Sequence, residues 1–523
     1  MYVIRRLANE VTSCDGLWPV RRPAVALLIA VLTRFGPFKK SLIVPGCSGA
    51  FGSSCALTFT GTDKGATMDA SDRSEVDVIV IGLGPAGEEA GGTLAEAGLD
   101  VVGIEGSLVG GECPYWGCIP SKMMVRAADL LAESRRVGEL AGSSTTTSDW
   151  APVAQRIREQ ATDDWDDTVA VDRFTDKGGT FVRGYATITA PATVEVDGST
   201  FVARKGIVVA TGTQAAVPPI DGLADTPFWT NHDAIEAKEL PDSLIVLGGG
   251  AIGVELGQVM ARFGVTVTVL EGLDRLLPRN EPEAGEALAE VFEAEGISVH
   301  TGQFAEEVSY VDDQFTVRMP DGTDITGQQL LVATGRQTFL DKLGVANLGL
   351  DADQPFLDVD GHQRVQDGLW AVGDIAGDGL YTHLATRQAQ VAAADILGQD
   401  VEPLNLAALP AVTFTDPEVG AVGLTEAEAR KQGLNVAVAV KQVSHTARGW
   451  LHAVGNEGFV KLVVDADRDV LVGATSMGPA GGEVLGLLTL AVHAEVGVSA
   501  LRSMIYAYPT FHKGVEDALG ELH

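Results

Sequence analysis

Glu75-Val-Asp-Val-Ile-Val-Ile-Gly82-Leu-Gly84-Pro-Ala-Gly87 is an apolar, β-branched run that breaks into a G-x-G-x-x-G turn. An Ala- and Glu-rich helical stretch follows to Ala97, with Gly98 as its stop. The strand-like Asp100-Val-Val-Gly-Ile104 then ends in Glu105. Gly82 permits the tight turn, Gly84 lets backbone N–H groups approach a pyrophosphate, and Gly87 lets helix and strand pack closely. The helix N-terminus favours an anion, and Glu105 can accept hydrogen bonds from a ribose. A glycine turn alone is imitated by any Ala/Gly-rich loop. Flanked by two strands and an acid, it reads as a dinucleotide site.

The pattern returns. Ser243-Leu-Ile-Val-Leu247 leads into Gly248-Gly-Gly250-Ala-Ile-Gly253, a helix to Phe263-Gly264, and a strand from Val265 to Leu270 ending in Glu271. Two complete units imply two dinucleotides; one decorated domain fits poorly. Glu271 stands where a 2′-hydroxyl is gripped and a 2′-phosphate repelled. Gly272, Leu273 and Asp274 offer no cationic clamp, and Arg275 is the one nearby cation. NADH is therefore expected over NADPH. The first unit closes at Gly206-Ile-Val-Val-Ala-Thr-Gly212 and the second at Leu330-Leu-Val-Ala-Thr-Gly335-Arg336. Gly368-Leu-Trp-Ala-Val-Gly-Asp374 reads as a strand ending in an aspartate.

Between the units lies Gly110-Gly-Glu-Cys113-Pro-Tyr-Trp-Gly-Cys118-Ile-Pro-Ser-Lys122, and no cysteine follows Cys118. A disulfide needs Cα atoms roughly 4.4–6.8 Å apart. This spacing permits one where the chain turns into a helix near the second cysteine. As a structural staple, so small a loop is worth only ~2 kcal/mol. A close pair beside nucleotide-binding turns points instead to redox chemistry. A helical stretch is expected over Met123–Arg136, a Ser/Thr linker over Ser143–Ser148, and an amphipathic stretch from about Trp150 to Arg173. Short β segments lie around Phe181–Val202.

Cys-x4-Cys-Ile-Pro-Ser-Lys, a short way after a glycine-rich βαβ unit, resembles the flavin-dependent pyridine nucleotide–disulfide oxidoreductases. That family includes dihydrolipoamide dehydrogenase, glutathione reductase and mercuric reductase. The resemblance covers about residues 76–523. It implies a homodimer that binds FAD and NAD and passes electrons from nicotinamide through flavin to a Cys113–Cys118 disulfide. Cys118 would be the sulfur nearer the flavin and Cys113 the interchange thiol. It assigns FAD to Gly82, Gly84, Gly87, Glu105, Gly111, Lys122, Gly212 and Asp374, and NAD to Gly248, Gly250, Gly253, Glu271 and Gly335. Glu255 would pair with Lys122 near the flavin N5; a surface helical glutamate is the plainer alternative. Thr382-His383-Leu384 and a helix over Ala385–Leu397 would run along the flavin.

The departures are specific. The family usually has Thr at 112 and Asn at 115, where this chain has Glu112 and Tyr115; Thr338 and Phe339 replace Pro and Asn. A C-terminal His-Pro-Thr-x-x-Glu motif normally supplies a general base that reaches the partner's disulfide. Here Tyr508-Pro-Thr-Phe-His512-Lys513 stands instead. A phenol is a poor base near neutral pH but can donate a proton. His512 is a candidate substitute, and a helix-surface histidine is its plainer reading. Mercuric reductase also uses tyrosine, with a further C-terminal cysteine pair that this chain lacks. The acceptor is left open among a metal ion, a disulfide and a quinone. A flavin-centred quinone reductase and a non-catalytic flavin-binding sensor are the alternatives.

The 523 residues carry a formal charge of −34, which excludes nucleic acid and anionic membranes as partners. Hydrophobic content of 46% and charged content of 21% suit a globular enzyme. Residues 1–67 are different, with eight basic residues against three acids. Their apolar run Ala24–Leu32 is short of the ~20 residues a span takes, and Cys14, Cys47 and Cys55 all fall there. They read as a disordered extension or a non-native start, with Met68 an alternative first residue; a targeting segment is the other reading. The expected organisation is α/β: the extension over 1–75, an FAD-binding domain over 76–235, an NAD-binding domain over 236–355, the FAD domain's return over 356–404, and an α+β dimerisation domain over 405–523. The β-rich text from Pro410 matches the last in order and spacing. No resident metal is expected, and the cytoplasm is the expected location.

Overall fold

The computed structural model describes residues 73–522; residues 1–72, which hold Cys14, Cys47, Cys55 and Met68, lie outside the described residues, and the last three residues assigned to the extension fall in the first strand. The strand Arg73–Ile81 is the centre of the first sheet. It pairs in parallel with Val101–Glu105 on one side and Ser199–Val209 on the other. Thr180–Arg183 extends the sheet beyond Val101–Glu105, and Leu369–Ala371 extends it beyond Ser199–Val209, both in parallel. The chain thus leaves its first sheet after Val209 and returns to it at Arg364, with Ala371 opposite Val209. Strand alternation fills both faces of this sheet. Val78 and Val80 join a core with Leu83, Phe174 and Ala389, while Ile79 and Ile81 join another with Ile104, Ile207 and Leu340.

The second sheet repeats the first in order: Ser298–Thr301, Thr266–Glu271, Ser243–Leu247, Gln329–Val332, all parallel. Each unit carries a helix of twelve residues between its first two strands, Pro85–Glu96 and Ala251–Arg262. A three-stranded antiparallel sheet (Glu307–Val311, Gln314–Arg318, Asp324–Gly327) is inserted before the second unit closes. The C-terminal domain is a five-stranded antiparallel sheet in the order Pro410–Thr413, Glu418–Gly423, Val470–Gly478, Phe459–Asp465, Val436–Gln442. The helix Gly481–His493 packs on it through Val484, Leu485 and Leu488.

Two helical expectations are corrected. The helix after the cysteines begins at Cys118, not Met123, and runs to Leu140; Pro120 is no obstacle in a first turn, whose N–H groups have no intrahelical partner. The stretch from Trp150 to Arg173 is not one helix. It breaks into Ala151–Arg156, a π turn Ile157–Ala161, and Thr168–Asp176, with Asp163, Asp164 and Trp165 at positive φ between them. The helix Cys118–Leu140 packs through Met124 and Ala128 into a core shared with Val254 and Val259 of the second unit and Val419, Phe459 and Met477 of the C-terminal sheet.

Candidate active site

Cys113 lies in the short helical turn Glu112–Tyr115, and Cys118 opens the long helix. Both cysteines are free thiols in this structure. Cys118 Sγ lies 3.4 Å from Thr382 Oγ1. The two thiols are polarised oppositely. The hydrogen bond from Cys113, opposed by burial and aided by Thr382 and the Lys122 charge, brings the Cys118 thiol down to about 6. Donating that hydrogen bond, and burial, push Cys113 far above the ordinary thiol range.

Lys122 is one helical turn past Cys118, and its Nζ sits 2.6 Å from Glu255 Oε2 on the helix Ala251–Arg262. The other Glu255 oxygen accepts the N–H of Phe414 at 2.8 Å. Glu255 is buried at 6% exposure, so the surface reading of this residue is wrong. The Lys122 ammonium also lies 4.7 Å from the centre of the Phe414 ring.

Glu105 and Glu271, the acids that end the second strand of each unit, occupy matching places. Glu105 accepts the N–H groups of Leu83 and Ser107, both at 2.7 Å. Glu271 accepts those of Gly249 at 2.6 Å and Leu273 at 2.8 Å. In each unit the donors stand 22 residues before and 2 residues after the acid. The Arg275 guanidinium meets Asp274 and the Pro278 carbonyl, each at 3.0 Å.

The residues fit FAD and NAD. A Cβ on Gly82 would lie 2.4 Å from the Ala210 carbonyl, and one on Gly87 would lie 1.9 Å from the Gly82 carbonyl, so the first turn closes only with glycine. Gly248 and Gly253 are equally confined in the second unit, while the Cα positions of Gly212, Gly250 and Gly335 face open space. Gly84 and Gly250 begin their helices with no side-chain cap, leaving the first N–H groups for a pyrophosphate. Gly111 brings the cysteine loop against that turn, where a Cβ would lie 2.8 Å from the Gly84 Cα. Asp374 opens a 3-10 turn and accepts from Thr213 Oγ1 at 2.8 Å. Burial raises its carboxyl above the usual range despite Thr213 and the Arg336 charge.

One cluster escaped sequence reading. Glu112 Oε1 lies 2.5 Å from His232 Nε2 and 3.5 Å from Arg336, and its other oxygen accepts from Asn231 at 3.1 Å. Burial opposes ionisation of Glu112, but His232, Arg336 and Asn231 hold its carboxyl below the usual range. Trp116 stacks on His232 with centroids 4.2 Å apart and donates its Nε1–H to Glu236 at 2.7 Å. The residues flanking Cys113 are thereby tied to the helix Asn231–Glu236. The only available signal was that Glu112 and Trp116 surround the first cysteine; nothing marked His232 as their partner.

Tyr508 and His512 are both exposed and meet neither cysteine within the chain. Lys513 bonds Asp517 at 2.8 Å and Glu516 at 3.1 Å. Its charge is answered within its own helix. Among the described residues there is no cluster of His, Cys, Asp and Glu poised to hold a metal ion, and no helix is long and apolar enough to cross a membrane.

A family model described as pyridine nucleotide-disulphide oxidoreductase matches residues 76–395, and the dimerisation domain of the same family matches residues 409–519. Dihydrolipoyl dehydrogenase of Chlorobaculum tepidum is 36% identical over 459 residues, covering 85% of this chain and 96% of that one. Mercuric reductase of Acidithiobacillus ferrooxidans is 32% identical, covering 85% and 82%. Among solved structures, the HOCl-induced flavoprotein disulfide reductase RclA of Escherichia coli superposes with a TM-score of 0.75 at 27% identity, over 85% of this chain and 99% of that one. LpdA of Mycobacterium tuberculosis gives 0.75 at 26%, over 85% and 99%. The chain belongs to the class I pyridine nucleotide–disulfide oxidoreductases, enzymes that use FAD and NAD(P)H, and it carries their dimerisation domain.

Proposed function

We propose that the protein is an NADH-dependent flavoenzyme that reduces its acceptor through the Cys113–Cys118 pair. The observation that carries this is the placement of the pair: Cys118 opens the long helix with Thr382 Oγ1 3.4 Å from its sulfur and Lys122 one turn on, while Cys113 lies in the short turn before it. When bound, a flavin takes a hydride from nicotinamide and passes electrons on in pairs. Cys118 is the sulfur suited to receive them, because Thr382 and Lys122 favour its thiolate. Cys113 is the thiol suited to meet the acceptor. The buried Glu255 fixes Lys122 beside the nucleotide turns, keeping a positive charge at this site. Residues 76–235 and 356–404 would hold FAD, and 236–355 NAD.

The acceptor we favour is a metal ion or a quinone-like molecule rather than a disulfide, because Tyr508 occupies the place of the family's general base. RclA, similar to this chain at 26% identity, has been crystallised as a Cu(II) complex, which adds weight to the metal route. An NADH-fed reductase of this kind belongs in the cytoplasm. Anaerobic mixing with NADH tests the reading: the visible flavin absorption should bleach and return on adding Cu(II) or a benzoquinone. Bleaching with no recovery by any of Cu(II), Hg(II), quinones, lipoamide and glutathione disulfide would favour a sensor instead.

A further inference from the structure

The two nucleotide units share one more feature, just beyond their ribose acids. In the second, the Phe304 ring lies over Gly272, the residue directly after Glu271. A Cβ there would fall 2.2 Å from the ring, so only glycine admits this contact. Phe304 is nevertheless 69% exposed, leaving much of its surface open to solvent. In the first unit the Tyr185 ring lies over Gly106, the residue directly after Glu105, where a Cβ would fall 2.6 Å from the ring. Tyr185 is 79% exposed. Each aromatic follows the third strand of its unit, which pairs in parallel with the strand that ends in the acid. Backbone bonds fix both loops: Gly184 N donates to the Glu105 carbonyl at 3.0 Å, and Gly302 N to the Leu273 carbonyl at 2.7 Å.

A single exposed aromatic needs no explanation. Two at matching places, each seated on a glycine next to a ribose-gripping acid, call for a shared one. The adenine base is attached to the ribose that such an acid holds, so it emerges beside the residue after the acid. A flat aromatic face there can take the base by stacking, which tolerates open solvent on its other side.

We propose that Phe304 is the adenine platform of the NAD(H) site and selects adenine dinucleotides over bare nicotinamide nucleotides. This rests on the reading of residues 236–355 as the NAD site. Base stacking of this kind changes affinity by about 5- to 150-fold on removal of the ring. The test uses the FAD-loaded protein as wild type, Phe304→Ala and Phe304→Trp. Calorimetry reads ADP-ribose affinity, and stopped flow reads flavin reduction by NADH and by reduced nicotinamide mononucleotide, which has no adenine. Phe304→Ala should weaken ADP-ribose by at least about fivefold and raise the NADH concentration for half-maximal reduction in parallel. The mononucleotide response should not change, and Phe304→Trp should restore binding. Unaltered ADP-ribose affinity in Phe304→Ala, or an equal loss with the mononucleotide, overturns the platform alone. Failure of ADP-ribose to bind the wild type overturns the NAD reading and the platform with it.

Discussion

A thiolate at Cys118 is favoured by three neighbours at once: the Cys113 thiol, Thr382 Oγ1 at 3.4 Å, and the Lys122 charge. The sign of the pH dependence follows. An unperturbed thiol ionises near about 8.5, whereas Cys118 should ionise as pH rises through about 6. Iodoacetamide labelling of Cys118 in the reduced protein should therefore climb through that pH and level off above it. Thr382→Ala and Lys122→Met should each move the midpoint upward. A wild-type midpoint near about 8.5 would remove the basis for assigning the two sulfurs different roles. Coenzyme choice is also a one-residue matter. Glu271 is buried, both oxygens are engaged by backbone N–H groups, and Arg275 is committed to Asp274 and Pro278. A 2′-phosphate would meet a fixed anion with no counter-charge, a like-charge contact that costs several kcal/mol. NADH should reduce the flavin at least about tenfold more efficiently than NADPH, and Glu271→Arg should narrow or reverse the gap. A wild-type preference for NADPH would show the acid in the wrong role.

The helix Cys118–Leu140 joins the redox pair at one end to a charge cluster further along. Arg262, 3% exposed, meets Asp129 of that helix at 2.8 Å, Glu295 at 2.6 Å and Asp416 of the C-terminal domain at 2.8 Å. Arg136 of the same helix also meets Asp416 at 2.8 Å. Removing the buried cation strands the half-buried carboxylates of Asp129, Glu295 and Asp416, which costs up to about 3–5 kcal/mol, the range for breaking a buried pair. Arg262→Met should lower stability by that order in urea unfolding, while Arg430→Ala, in an exposed pair with Glu426, should cost under about 1 kcal/mol. Similar small losses from both would mean that water relieves the Arg262 site. Elements of this kind were unevenly legible. The first strands of the two units stood out because Glu75–Ile81 and Ser243–Leu247 are apolar runs closed directly by glycine. The start at Cys118 did not, because Ile-Pro-Ser shows no helical period and a first-turn proline resembles a stop. The break after Arg156 left no mark either: Ile157 is buried as a helical period requires, and the positive φ values fall on Asp and Trp rather than Gly. Glu112 and His232 are 120 residues apart, a pairing that only the folded chain discloses.

At the scale of the whole molecule, the question is what meets Cys113 from outside. Tyr508 is 73% exposed in the segment between the last two helices, beside Ile505 at 95%, so this surface is available to a second subunit through the dimerisation domain. A dimer that brings Tyr508 to the partner's pair delivers a phenol where thiol–disulfide exchange needs a base. General-base catalysis contributes typically 10²–10⁴-fold. Reduction of lipoamide or glutathione disulfide should therefore trail reduction of a metal ion or quinone by at least about tenfold, a conservative share of that factor. A metal ion needs no proton, and a quinone gains protons that Tyr508 can donate. Tyr508→His should raise disulfide turnover selectively, though less than the full factor, because Lys513 is held by Asp517 and Glu516 and cannot orient the new imidazole as a glutamate would. Cys113→Ser then separates the two favoured acceptors. Metal reduction through the dithiol should collapse, while direct transfer from flavin to quinone should survive. High disulfide turnover in the wild type, unchanged by Tyr508→His, would show that the base is supplied elsewhere, and the Glu112–His232 pair beside Cys113 would be the first place to look.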